Sequence, residues 1–417
     1  MSILIKNVKL NESVKDILIE DNKISKIASD IDFTADKFIN GKNKVAIPSF
    51  FNAHTHAAMT LLRGYSDDLP VQKWLEEKIW PLEDKITEED VYWGAKLACL
   101  EMIKTGTTFF NDMYWHFHGT AKAVEEMGIR ASLSAVLIDM KDKKKSQEQI
   151  ELNKKLYKEH VKYSDRIQLA MGPHSIYTVS QNSLKWAKEF ADAKDLQLHI
   201  HLSESEEEVK QCIDEHGVRP VEYLENIDFL GDNVIACHSI WLNNNEIDIL
   251  QKYNVKLVHL PVSNMKLSSG IFPYKKIHEH NIGIALGTDG CSSNNNLDMM
   301  EEMKFASLMA KINYMDPTVM PDEEAFALAT TNGAKIFGLN TGILKEGKLA
   351  DLLLLDLSRP EMTPDYNTTS NLVYSANGSC VDTTICDGKI LMENGHVDGE
   401  DKIIEMVKKI SADLVAR

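Results

Sequence analysis

Apolar and polar positions alternate in two different textures along the chain. Residues 1–48 read as short strands, at 3–10, 16–20 and 23–27, the last two flanking the hairpin signal Asp21-Asn22. From about residue 49 the pattern changes. Apolar runs at 45–51, 107–111, 131–138, 167–171, 196–202, 234–237, 255–259 and 282–286 are strand candidates. Amphipathic stretches such as 88–105 and 182–194 separate most of them. Eight strand–helix repeats predict a (β/α)8 barrel. A doubly wound sheet is the alternative, but no G-x-G-x-x-G follows a strand. Beyond about residue 345 the texture is β again, with runs at 352–356, 383–386 and 389–392, the last two flanking Asp387-Gly388, and a final helical pattern at 402–415. The expected fold is α/β: a TIM-like barrel over 49–345, beside a small β-sandwich built from 1–48 and 346–417 on which the C-terminal helix packs.

Composition narrows the function. Lys and Arg number 46 against 63 Asp and Glu, a net charge of −17, which argues against nucleic acid as a partner. The one dense basic run, 141–145, reads as a solvated loop. No apolar stretch approaches the roughly 18 residues of a membrane span, so no membrane partner is expected. Residues 1–7 have neither a basic start nor a long apolar core, so no secretory leader is expected. Six scattered Cys without a C-x-x-C argue against a disulfide framework or a thiolate zinc site and suit a reducing cytoplasm.

The 14 His include four H-x-H pairs, at 54/56, 116/118, 199/201 and 278/280. In a strand, residues i and i+2 share a face, so such a pair at a strand end can offer two imidazoles to one metal ion. His54 and His56 follow the run 45–51 at the end of the first barrel strand, the catalytic face of this fold. In 196–202, Leu198, Ile200 and Leu202 take one face, and Gln197, His199 and His201 the other. His201, nearest the strand end, is the better ligand candidate; the alternative is a hydrogen-bonded interior histidine. His238, Asp289 and His174 also follow apolar runs. The pair 116/118 reads as exposed loop residues, and 278/280 as the surface of a helix, where i and i+2 diverge. Glu204 lies three residues beyond His201. It is a candidate proton carrier, unless Ser203 caps a helix with Glu206 as its capping-box partner.

These residues, with Trp80-Pro81-Leu82-Glu83, Gly172-Pro173-His174-Ser175, Ser263-Asn264-Met265-Lys266-Leu267 and Leu286-Gly287-Thr288-Asp289-Gly290, resemble the amidohydrolase superfamily in its aminohydrolase branch. The methylthioadenosine/S-adenosylhomocysteine deaminases are the most similar group. The resemblance implies that His54, His56, His201 and Asp289 bind one divalent metal per chain, zinc or alternatively Fe2+, and that Glu204, His238 and Asp289 are catalytic. It implies hydrolytic deamination of an adenosine-type nucleoside (5′-methylthioadenosine, 5′-deoxyadenosine, adenosine or S-adenosylhomocysteine) to the inosine-type product and ammonia. Substrate contacts fall to Glu83, at the ribose hydroxyls, and to His174 and Glu204. Trp80, Leu82 and Met113 are candidates for an apolar wall. A homo-oligomer would also be in keeping with the family.

Two points keep the substrate open. Members that hold a homocysteine tail carry an Arg after the strand near residue 135, whereas here no Arg lies between Arg130 and Arg166. That favours uncharged 5′ groups, because a guanidinium is the natural bidentate partner of a carboxylate. The competing reading is an aminohydrolase or chlorohydrolase acting on a free base or a triazine (guanine, a cytosine-like base, an s-triazine), for which a ribose contact at Glu83 has no purpose.

Overall fold

The computed structural model describes all 417 residues, the side chains of Val71 and Gln72 excepted. Five strands, β1 (Ser2–Leu10), β2 (Ser13–Glu20), β3 (Lys23–Ala28), β4 (Lys37–Asn40) and β5 (Lys44–Pro48), precede the barrel. The barrel strands are β6 (Phe50–Thr55), β7 (Thr107–Tyr114), β8 (Arg130–Leu137), β9 (Ile167–Pro173), β10 (Gln197–Leu202), β11 (Val234–His238), β12 (Lys256–His259) and β13 (Ile284–Leu286). Three more, β14 (Leu352–Asp356), β15 (Val381–Cys386) and β16 (Lys389–Met392), return to the first five.

β6 to β13 pair in chain order and in parallel, as strand–helix repeats require. The circle is drawn together between β13 and β6 by local bonds. Asn52 exchanges two hydrogen bonds with Thr288, and the Asp289 amide donates to the His54 carbonyl at 3.0 Å. Gly287 makes this approach feasible: a Cβ there would meet the His54 amide nitrogen at 2.7 Å and its carbonyl oxygen at 2.9 Å. Neither backbone atom can give way. Gly287→Ala is therefore expected to lower stability by about 1–3 kcal/mol, read from urea unfolding.

Both chain ends enter one mixed sheet, ordered β16-β15-β14-β5-β1-β2-β3, with β4 also on β1. Its halves share an apolar cluster: Ile3, Ile5, Ile17, Ile19 and Ile24 meet Leu352, Leu354 and Ile385. The run 45–51, read as a single strand, is divided at Ser49. β5 lies against β14 in the end sheet, and β6 against β7 in the barrel. Both pieces are largely buried and so is Ser49 between them, so the change is not marked by an exposed polar residue.

The C-terminal helix (Glu400–Ala416) departs from expectation. It lies along the barrel helix Glu88–Thr105, with Lys104 paired to Glu400 and Arg417 forked onto Asp90. Its apolar stripe of Ile403, Val407 and Leu414 joins the main core there, so the barrel and not the end sheet carries it. The run 141–145 is only partly a loop, because Asp142 caps a helix that begins at Lys143. Among the described residues no helix is long and apolar enough to cross a membrane.

Candidate active site

The C-terminal ends of the barrel strands bring His54, His56, His201, His238, Glu204 and Asp289 together. β6 delivers His54 and His56, whose Nε2 atoms each lie 3.4 Å from Asp289 Oδ1. β10 delivers His201, whose Nδ1 is 2.8 Å from the His174 carbonyl. His56 Nδ1 is likewise 2.7 Å from the Met113 carbonyl. A carbonyl only accepts, so both Nδ1 atoms carry the proton and both Nε2 atoms keep their lone pairs. Facing nitrogens and carboxylate oxygens of His54, His56 and Asp289 fall within 4.8 Å of one another, as do those of His54, His201 and His238. His54 Nε2 is buried and has no hydrogen-bond partner among the described residues. A buried polar atom normally has one, so a lone pair left over beside two more imidazoles and a carboxylate fits a divalent cation. Three nitrogens and an oxygen suit zinc or iron(II).

Electrostatics agree with this arrangement. Burial pushes His54 down to about 4, and holds His201 well below the usual imidazole range, so both stay neutral. Burial opposes charge on Asp289, yet the imidazoles of His54, His56 and His238 hold its carboxyl well below the usual range. The hydroxyls of Ser263 and Ser293 donate to Asp289 Oδ2 at 2.6 and 2.8 Å, and the Gly290 amide to Oδ1 at 2.8 Å. Ser203, His238 and Asp289 all adopt left-handed backbone angles, with φ of 49°, 67° and 64°. Such strain costs on the order of 1 kcal/mol each and collects where function requires a particular aim.

Glu204 escapes the capping role. The helix Glu206–His216 is capped by Ser205, whose hydroxyl accepts from the Glu208 amide. Glu208 then takes the amides of Ser203 and Glu204 at 2.9 and 2.8 Å. The Glu204 carboxylate is left facing His238 Nε2 at 3.8 Å. Burial raises Glu204, partly offset by His238. Burial works against protonation of His238, but Glu204, Asp289 and Asn264 prevail and raise it. Asn264 Oδ1 lies 2.9 Å from His238 Nδ1.

A pocket that opens to solvent lies above these groups. Trp80, Met113 and His174 line it as expected, with Trp74, Val136, Ile138 and Tyr177 in addition. Leu82 does not; it is packed in the core. Burial lowers His174 to about 3, and Thr178 Oγ1 lies 2.9 Å from its Nδ1. Glu83 lines the same pocket, its Oε1 buried and without a hydrogen-bond partner among the described residues. Burial pushes its carboxyl up to about 7 against the pull of Tyr114 and Trp115.

The remaining histidines lie elsewhere. His118 is not a loop residue; it sits in a helix, half-buried between Tyr163 and Glu159 at 2.9 and 2.8 Å. His278 and His280 are at the surface. His199 lies behind His54, with its Nε2 2.7 Å from His54 Nδ1 and 3.2 Å from Cys237 Sγ. Two nitrogens on one tetrahedral zinc stand about 3.3 Å apart, so this trio is a hydrogen-bonded string and no ion fits between its members. Asn264, Ser263 and Ser293 were not singled out from the sequence. The first two lie in the quoted segment 263–267, but only folding shows what they touch.

The pattern of site and fold has a family. Residues 45–391 match the amidohydrolase family.

The chain belongs to the amidohydrolase family.

This amidohydrolase is 48% identical to a 5-methylthioadenosine/S-adenosylhomocysteine deaminase of Thermococcus sibiricus, over 94% of either chain. It is also 48% identical to a 5′-deoxyadenosine deaminase of Methanosphaera stadtmanae, over 97% of either chain. Among solved structures, a zinc-bound adenosine deaminase from Xanthomonas campestris superposes with a TM-score of 0.92 at 30% identity, covering 100% of this chain and 98% of that one.

Proposed function

We propose that this amidohydrolase hydrolyses the 6-amino group of an adenosine-type nucleoside, giving the inosine-type nucleoside and ammonia. The observation that carries the reading is one pocket whose lining joins the His56, His201 and Asp289 cluster, beside Glu204 and His238, to the carboxyl of Glu83. Relatives named for deamination of adenosine derivatives support it.

His54, His56, His201 and Asp289 would hold one divalent ion, zinc by preference, which when bound supplies Lewis-acid activation of water. Glu204, protonated more readily for being buried, donates its proton to the ring nitrogen next to carbon 6. That makes carbon 6 electrophilic. His238, with Nδ1–H on Asn264 Oδ1, presents Nε2 to the attacking water and takes a proton. Asp289 assists in passing a proton to the departing ammonia. Water adds, ammonia leaves, and the ring keeps an oxygen where it had nitrogen. We take residues 49–345 as the catalytic unit and the two chain ends as its companion.

Glu83 is assigned to the ribose hydroxyls. A hydrogen bond to a charged acceptor contributes about 1.5–3 kcal/mol, so Glu83→Gln should lower kcat/KM for nucleosides by roughly 10–100-fold, through KM. The sign of the pH dependence follows from its raised carboxyl. Below about 7 Glu83 is protonated and loses an acceptor, so KM should rise as pH falls through 7. The Gln variant should lack that rise.

The test of the whole reading is direct. Protein purified without chelator is assayed for metal, then given methylthioadenosine, 5′-deoxyadenosine, adenosine and S-adenosylhomocysteine, with ammonia release followed. About one metal ion per chain and turnover of an adenosine analogue are expected. S-adenosylhomocysteine should be slowest, because Val136 and Ile138 line the pocket and no Lys or Arg does so among the described residues. Metal without turnover of any of the four would move the substrate to free bases or triazines.

A further inference from the structure

His199 is fully buried within the barrel, yet polar. Among the described residues its Nδ1 has no hydrogen-bond partner, and its Nε2 lies 2.7 Å from His54 Nδ1. Burying an unpartnered polar atom is unfavourable, and an apolar side chain would fill that place without the penalty. Some gain must offset it, and the geometry shows where.

We infer that His199 is a positioning residue that sets the tautomer of His54. His56 and His201 have backbone carbonyls at Nδ1, and these compel the proton onto that nitrogen. His54 has none. Its Nδ1 faces an imidazole instead, and in that pair either nitrogen could donate. If His199 Nε2 accepts, the proton sits on His54 Nδ1 and the lone pair at Nε2 faces Asp289 and His56. If His199 Nε2 donated, His54 would carry its proton on Nε2, aimed at the site, and would be closed to a cation. The accepting tautomer of His199 puts its own proton on Nδ1, the atom without a partner. The unpartnered donor is thus the consequence of the arrangement that opens His54. The thiol of Cys237, 3.2 Å from the same Nε2, is a weak donor and does not reverse the choice. Partners behind a metal ligand are known to fix its tautomer and its basicity.

The inference rests on His54 being a ligand, and the experiment separates the two. Metal affinity is measured by competition with a chromogenic chelator, and the melting midpoint of the metal-free protein is measured beside it. His199→Phe removes the acceptor and keeps the shape. His199→Gln places an amide oxygen near the position of Nε2, whereas His199→Asn reaches only as far as Nδ1. The Phe and Asn variants should bind zinc about 10–100-fold more weakly, with the Gln variant restored toward the parent. The metal-free midpoint of the Phe variant should equal or exceed the parent's. Undiminished affinity in Phe and Asn, or a loss in all three variants that follows a lower metal-free midpoint, would overturn the role of His199. If Phe does not fold, a Gln variant no tighter than Asn overturns it as well. A parent protein that binds no metal, or a His54→Ala variant that binds it as tightly, would instead overturn the ligand assignment.

Discussion

His201→Ala should leave the protein folded but without its metal and without turnover. His201 makes one hydrogen bond to the His174 carbonyl, and losing it costs about 1 kcal/mol against a typical total of roughly 5–15. Its Nε2, by contrast, is one of three imidazole lone pairs turned on the site. Removing a ligand should weaken metal binding by more than the ~10–100-fold carried by groups behind the ligands. Metal per chain, ammonia release and a circular dichroism melt check the three parts together. In the parent protein a strong chelator should abolish turnover in the same way. Zinc and iron(II), added back separately, should restore it to an extent that identifies the preferred ion. A His201→Ala variant with full turnover would remove the basis for the four-ligand site.

Glu204→Gln should lower kcat by about 10²–10⁴-fold with metal content unchanged. The amide keeps the size of the carboxyl and stands in the same place. It has no proton to give to the substrate ring at neutral pH. Because Glu208, not Glu204, holds the amides of Ser203 and Glu204, the helix start should survive the change. The effect should therefore appear in kcat far more than in KM, which pre-steady-state ammonia release can separate. A Gln variant retaining more than a tenth of parental kcat would exclude Glu204 as the proton donor.

Much of this site was legible in the chain because strand alternation has period two. His54-Thr55-His56 and His199-Ile200-His201 each had to present two imidazoles on one face, and apolar runs before them marked strand ends. Alternation alone did not separate His199 from His201, since both share a face; nearness to the strand end favoured His201, and the structure agrees. The parallel register of β10 with β11 places His201 beside Cys237 and His199 a layer deeper beside Ile235. Glu204 was ambiguous for a similar reason. Ser203 read as a possible cap by its residue type, whereas the cap is Ser205 and Ser203 lies in a left-handed turn. The join at Ser49 was hidden, because the strands on either side are buried on both faces and a single buried serine does not interrupt an apolar run. Val136, Ile138, Tyr177 and Trp74 are ordinary apolar or aromatic residues in sequence, and only their return to one pocket mouth sets them apart.

Spacing along the chain was thus enough to decide the barrel, the strand ends and the set of side chains able to share a metal or a proton, because local periodicity limits which residues can point the same way. The tertiary structure alone decided which of those side chains meet. Asp289 reaches His54 across 235 residues through the close approach at Gly287, His238 finds Asn264, and His199 falls in behind His54. Such meetings depend on register and packing between distant segments, and no pattern within a single strand or helix encodes them.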